Sequence, residues 1–110
     1  MSDISTSGMP GETFSQISSD TAANLTAANI VGSDGNSRPV GALITCETKD
    51  IKFCLGGATP ACAGAGHVLA AGGSLVLDSG SAVKTFKFVS SASGQAGTIR
   101  VTPFFEAGKV

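Results

Sequence analysis

The residues with most chemistry to offer are three thiols, one imidazole and two neighbouring carboxylates, all between positions 46 and 67. In "ALITCETKDIKFCLGGATP", residues 42 to 60, Cys46 and Cys54 stand eight apart around a charged knuckle, Glu47-Thr48-Lys49-Asp50, and Cys62 follows. Thiolates share a metal or a redox turn when C-x-x-C or C-x-x-C-H spacings bring them together. Neither spacing occurs here, so no metal and no cofactor are expected. The expectation is thiols packed as small hydrophobes. A disulfide between two of the three stays open for a protein that ends up outside a cell.

His67 is the only histidine. A general base needs a positioned partner, and the chain has neither a G-x-S-x-G elbow nor a carboxylate pattern to orient the ring. Glu47 and Asp50 fall at what reads as a solvated strand-turn-strand tip, not in a closed acid-base site. Gly56-Gly57 and "GAGHVLAAGG" match neither phosphate-loop template in the strand-to-helix setting that such loops need. The chain is therefore expected not to be an enzyme.

Charge, hydropathy and aromatic content weigh against other classes. Seven Lys and Arg against eight Asp and Glu leave a net charge of -1, and no basic stripe exists to drive nucleic-acid binding through counterion release. No run approaches the roughly 18 apolar residues of a membrane span. The start, "MSDISTSGMPGETFSQ", has no charged n-region followed by an apolar h-region, which predicts a soluble chain made in the cytoplasm. With no Trp and no Tyr, the flat aromatic platform common in carbohydrate-binding sandwiches is missing.

The scaffold that carries these groups reads as all-β. A chain of 110 residues fits one domain that buries roughly two-thirds of its unfolded surface. Residues 1–20 scatter Ile4, Met9, Phe14 and Ile17 among Gly, Pro and Ser without a helical or strand period, which predicts an extended, flexible N-terminal arm. From residue 21 to 110 short apolar segments are fenced by Gly, Ser, Asn, Asp or Pro, as in a β-sandwich. "TAANLTAANI" reads as strand and "SDGNSRP" as a loop.

In "VGALITCE" the residues Val40, Ala42, Ile44 and Cys46 share one face. In "DIKFCL" the inward set is Ile51, Phe53 and Leu55, so the two segments predict a hairpin tipped by the knuckle. Parity puts Cys46 and Cys54 on different faces. "GGATPACAGAG" reads as a long small-residue loop. "HVLAAGGSLVLDSGS" gives two short strands broken at Gly72-Gly73. "AVKTFKFVSS" gives another, with Phe86 and Phe88 inward, and "TIRVTPFF" closes the domain with Ile99 and Val101 inward. Pro103 cannot donate to a ladder and predicts an edge or a strand end. Adjacent phenylalanines point to opposite sides, so one of Phe104 and Phe105 is expected to face a partner or a satellite cluster.

The run "LTAANI", then "DIKF", "GGATP" and "GHVLAAGGSLVL" before a closing strand resembles small bacteriophage virion proteins of the head decoration, or cement, type over about residues 25 to 105. The resemblance implies a single antiparallel β-sandwich, jelly-roll-like, often a homotrimer. Such a protein binds the major capsid protein on the exterior of the virion and stabilises the shell without catalysis. The three cysteines depart from that pattern. On this view Phe14 and Ile17 in the arm, with Phe104 and Phe105, contact the capsid or sister subunits. The alternative is a receptor-binding or adhesion module of a phage tail or fibre, using loops such as 56 to 67.

Overall fold

The computed structural model describes residues 9–31, 38–62 and 64–105. Residues 1–8 of the expected arm and most of the "SDGNSRP" loop lie outside the described residues.

Nine strands form two antiparallel sheets. The first sheet, A, contains β1 (Met9–Pro10), β2 (Phe14–Ile17), β4 (Pro39–Glu47), β7 (Ser74–Leu77) and β9 (Thr98–Phe105). Both β1 and β2 pair with β9, β1 at Phe104 and Phe105 and β2 from Thr98 to Val101. They act as one edge strand interrupted at residues 11–13. Counted so, sheet A runs β1/β2-β9-β4-β7. Sheet B runs β3-β8-β5-β6, with β3 at Ala23–Asn24, β8 at Lys87–Ser90, β5 at Ile51–Cys54 and β6 at His67–Leu69. Eight strands in two four-stranded sheets, with successive strands alternating between the sheets except for the β5–β6 pair within sheet B, are the jelly-roll order.

The interior follows strand alternation. From sheet A, Ala42, Ile44, Cys46, Leu77, Ile99 and Val101 meet Ile51, Phe53, Leu69 and Phe88 of sheet B. Phe86 stacks between Phe53 and Phe88, with ring centroids 5.5 and 6.0 Å away. Offset rings at such distances add to the area term.

Four expectations are corrected. First, residues 14–17 are not a loose arm but a strand: Phe14 packs on the core, and the Gln16 side chain turns inward, donating to the Asn24 carbonyl at 3.3 Å and accepting from the Thr26 N–H at 2.7 Å. Gln16 thereby bridges the edges of the two sheets.

Second, β4 and β5 are not a hairpin. They lie in different sheets, and the knuckle turns a corner of the sandwich. Thr48 has φ +70°, rare for a β-branched residue, and the Lys49 N–H bonds the Glu47 carbonyl at 2.9 Å to close the tight turn.

Third, residues 80–85 are helical. Helix α1 (Gly80–Thr85) is capped by the Ser79 hydroxyl, which accepts from the Ala82 N–H at 3.1 Å, and its Val83 is fully buried. The strand expected from residue 82 onward begins only at Lys87. Similarly, only Ala23–Asn24 of "TAANLTAANI" is strand, and Ala27–Ile30 forms a 3-10 turn that buries Ile30.

Fourth, Pro103 lies inside β9, between the edge and β4. Its carbonyl accepts from the Gly11 N–H at 2.7 Å. A strand residue's N and O point to the same side, so the donor that proline lacks would have faced the break between β1 and β2.

Candidate functional site

The four residues expected to contact partners have different fates. Phe14 is half-buried against the core, while Phe104 and Phe105 are buried at 6% and 5% exposure. The Phe105 ring abuts Gly11. Only Ile17 stands clear, 69% exposed, the largest value among the exposed large hydrophobics. Adjacency on β9 does put the two phenylalanines on opposite faces, yet each is covered.

Ile17 sits on the outer face of sheet A, whose cross-strand rows can be read from the register. One row runs Ser15, Arg100, Thr45, Ser74 across all four positions of the sheet. A second runs Ile17, Thr98, Glu47, and a third runs Thr102, Leu43, Val76, with Val76 40% exposed. The Arg100 guanidinium donates to Glu47 at 2.7 Å along the diagonal between the first two rows. Hydroxyls, a few aliphatics and one internally paired charge couple make this face close to neutral.

The outer face of sheet B differs. The segment from Leu55 to Gly66 lies back over it. Lys52 Nζ donates to the Gly64 carbonyl at 2.6 Å, and Lys87 Nζ to Thr59 Oγ1 at 3.3 Å. A Cβ on Gly66 would meet Lys52 Cβ at 3.2 Å. At the far end Cys62 Sγ lies 3.9 Å from Asp20 Oδ1. In the outer row that runs Val89, Lys52, Val68, the first is fully buried whereas Val68, on the edge strand, is 56% exposed, so the cover reaches part of this face. The sequence shows this segment only as a long small-residue loop; the signal for a cover is in Lys52 and Lys87, two outward cations whose ammonium groups reach a carbonyl and a hydroxyl of the segment.

The thiols are free. Cys46 lines the core on β4, 1% exposed, and its Sγ donates to the Lys49 carbonyl at 3.2 Å. Burial first, then the carboxylates of Asp50 and Glu47, push this thiol above its ordinary value. Cys54 lies on the opposite, outward parity of β5 in the other sheet, so no site joins the two. Cys62 is also pushed up, by desolvation and by Asp20. A raised value suppresses the thiolate, the reactive form.

His67 is exposed on β6 with its ring 5.5 Å from that of Phe53. Among the described residues no group of three His, Cys, Asp or Glu side chains is placed to hold a metal, and no helix is long and apolar enough to cross a membrane. Three acidic side chains serve the scaffold. Asp20 accepts from Ser93 Oγ and the Gly94 N–H, Asp50 from the Ala71 N–H, and Glu47 from Arg100.

No protein-family model, curated protein or solved structure matches the chain.

Proposed function

We propose that the protein is a non-enzymatic structural component of a bacteriophage virion, a decoration protein that binds the major capsid protein on the outside of the head and stabilises the shell. The observation that supports this reading is the asymmetry of the sandwich: the chain folds back over part of sheet B, whereas among the described residues sheet A presents a nearly neutral outer face ending in the exposed Ile17. A protein that lies on a repeating shell needs one such face. The resemblance supplies the identity of the partner, and the jelly-roll strand order is the architecture that the resemblance implies. Many copies on one shell add avidity, so each contact can be modest.

Purified protein mixed with expanded, undecorated heads of the phage that carries it tests the reading. Co-sedimentation with saturable, symmetric occupancy supports it. Absence from the particle pellet at every protein concentration refutes it. Light scattering with and without reductant tests the proposed homotrimer on free thiols: the expected result is a trimer whose mass reductant does not change.

A further inference from the structure

We propose that the end of the sandwich where the knuckle meets the β8–β9 loop is a second binding site, one that takes a single ring of a neutral saccharide. The recess there has a volume of about 250 Å³ and is lined by Thr48, Lys49, Asp50, Ser91, Ala92 and Gln95. This lies below the roughly 300–1,000 Å³ of pockets for drug-sized ligands. The occupant is small.

The chemistry of the lining selects among small ligands. Lys49 and Asp50 contribute one positive and one negative group, so neither an anion nor a cation is favoured overall. Ala92 is the only apolar side chain, which leaves an aromatic or aliphatic ligand no wall to bury against. Gln95 and the Ser91 hydroxyl both donate and accept, while the Thr48 hydroxyl is spent on the wall itself, donating to the Glu47 carbonyl and accepting from the Thr98 N–H. Adjacent hydroxyls on a sugar ring present the matching set, each able to give one hydrogen bond and receive others. The missing Trp and Tyr remove stacking, so recognition here is by hydrogen bonds alone and weak for a single copy.

Two features make the recess a prepared site. Its walls are held from behind: Asp20 accepts from Ser93 Oγ at 3.0 Å and from the Gly94 N–H at 3.1 Å, and Ser18 Oγ accepts from the Gly97 N–H at 2.8 Å. A side chain at Gly97 would strike the Lys49 carbonyl, so the two loops touch backbone to backbone. The rim residue Thr48 is held at φ +70°, and strain of this kind persists only where surroundings over-determine it. Meanwhile Lys49 Nζ and the Gln95 amide have no hydrogen-bond partner among the described residues, and Asp50 uses only Oδ1, on Ala71. The fixed groups shape the recess, and the uncommitted ones belong to residues that line it and keep their hydrogen-bonding capacity for a ligand. Preorganisation of this sort lowers the ordering cost of binding.

This site lies at the corner beside the Ile17 end of sheet A, and its test on the free chain does not rest on shell binding. The test is a titration of the isotope-labelled full chain with free glucose, galactose, mannose and N-acetylglucosamine, followed by amide chemical shifts. The expected result is saturable shifts confined to residues 48–50 and 91–95 with at least one sugar. Gln95→Ala should weaken that binding roughly tenfold, the loss of one or two hydrogen bonds, with the remaining spectrum unchanged; Lys49→Ala provides an independent second variant. No saturable shift with any sugar, shifts that neither variant alters, or a response at these amides to inorganic phosphate alone would each overturn the proposal. Particle binding can succeed or fail without changing any of these readings.

Discussion

The backbone N–H of Gly11 donates to the carbonyl of Pro103 across 2.7 Å, and this bond carries the pairing with β9 into the break between β1 and β2. Gly11 can come so near because it has no side chain. A Cβ there would lie 2.5 Å from one atom of the Phe105 ring and 3.3 Å from Pro103 Cγ. Gly11→Ala is therefore expected to cost about 1–3 kcal/mol, the range for overpacking a filled site. Urea unfolding measures it, and a midpoint equal to that of the parent would show that the ring yields freely.

A buried hydroxyl pair makes a sharper comparison. Ser18 and Ser90 Oγ atoms lie 2.9 Å apart, both residues buried, and Ser18 also accepts from Gly97. Removing Ser18 orphans a backbone N–H and a hydroxyl together, whereas removing Ser90 orphans only its own partner. Unsatisfied buried groups cost about 1–3 kcal/mol each. Ser18→Ala should thus destabilise more than Ser90→Ala, and equal losses would remove Gly97 from the account.

Cys46 sets a pH dependence in the alkaline range. Burial raises its value in the folded state above the ordinary thiol value of 9.0, so above that pH the unfolded chain loses this proton before the folded one does. The stabilisation is complete below about pH 9 and declines as pH rises toward the folded value, with a slope of at most about 1.4 kcal/mol per pH unit from this group. Cys46→Ala should flatten part of that decline. In native protein a thiol reagent should modify Cys54 and Cys62, which are partly exposed, and reach Cys46 only on unfolding.

Much of the fold was legible because alternation is local. Ala42, Ile44 and Cys46, then Ile51 and Phe53, Phe86 and Phe88, Ile99 and Val101 fall on the expected inward faces, whereas Leu55, grouped with Ile51 and Phe53, lies past the end of β5 and is 42% exposed. The open face of sheet A was half legible, since Leu43 and Val76 break the polar side of their strands. What failed depended on partners distant in sequence. Three or four polar residues after β4 can make a hairpin tip or a sandwich corner. The corner is set by Thr48, whose Oγ1 accepts from the Thr98 N–H at 3.2 Å, and by the tight Gly97–Lys49 approach. The inward Gln16 hid β2, because a glutamine at a core parity looks like the end of a pattern until Asn24 and Thr26 are seen to satisfy it. Helix α1 carries a local sign, Ser79 as cap, that the Phe86–Phe88 alternation outweighs in the sequence pattern.

The segment covering sheet B gives a prediction about local opening. Lys52 holds the Gly64 carbonyl at 2.6 Å, and little apolar burial accompanies the bond, since residues 55–59 and 64–66 are exposed. Lys52→Met keeps the stem and removes the donor. Limited proteolysis within 61–65 should accelerate severalfold while the global unfolding midpoint moves little, because local opening is governed separately from the core. Unchanged cleavage would mean that Lys87 and Asp20 hold the cover without it.

Ile17 and Phe104 separate binding from folding. Both were candidates for partner contact, but one is 69% exposed on the open face and the other 6% exposed. Ile17→Ser removes an exposed apolar contact and should leave the unfolding midpoint within experimental error, since surface changes away from caps and cores stay within about 0.5 kcal/mol. Phe104→Ala empties a buried ring site and should cost about 3–5 kcal/mol. If the sheet A face docks on the shell, Ile17→Ser lowers occupancy of phage heads severalfold at unchanged stability. A variant that binds heads as tightly as the parent would move the docking surface off the Ile17 end of this sheet. Phe104→Ala, compared at temperatures where it remains folded, should bind normally, because a covered ring offers a partner nothing to touch.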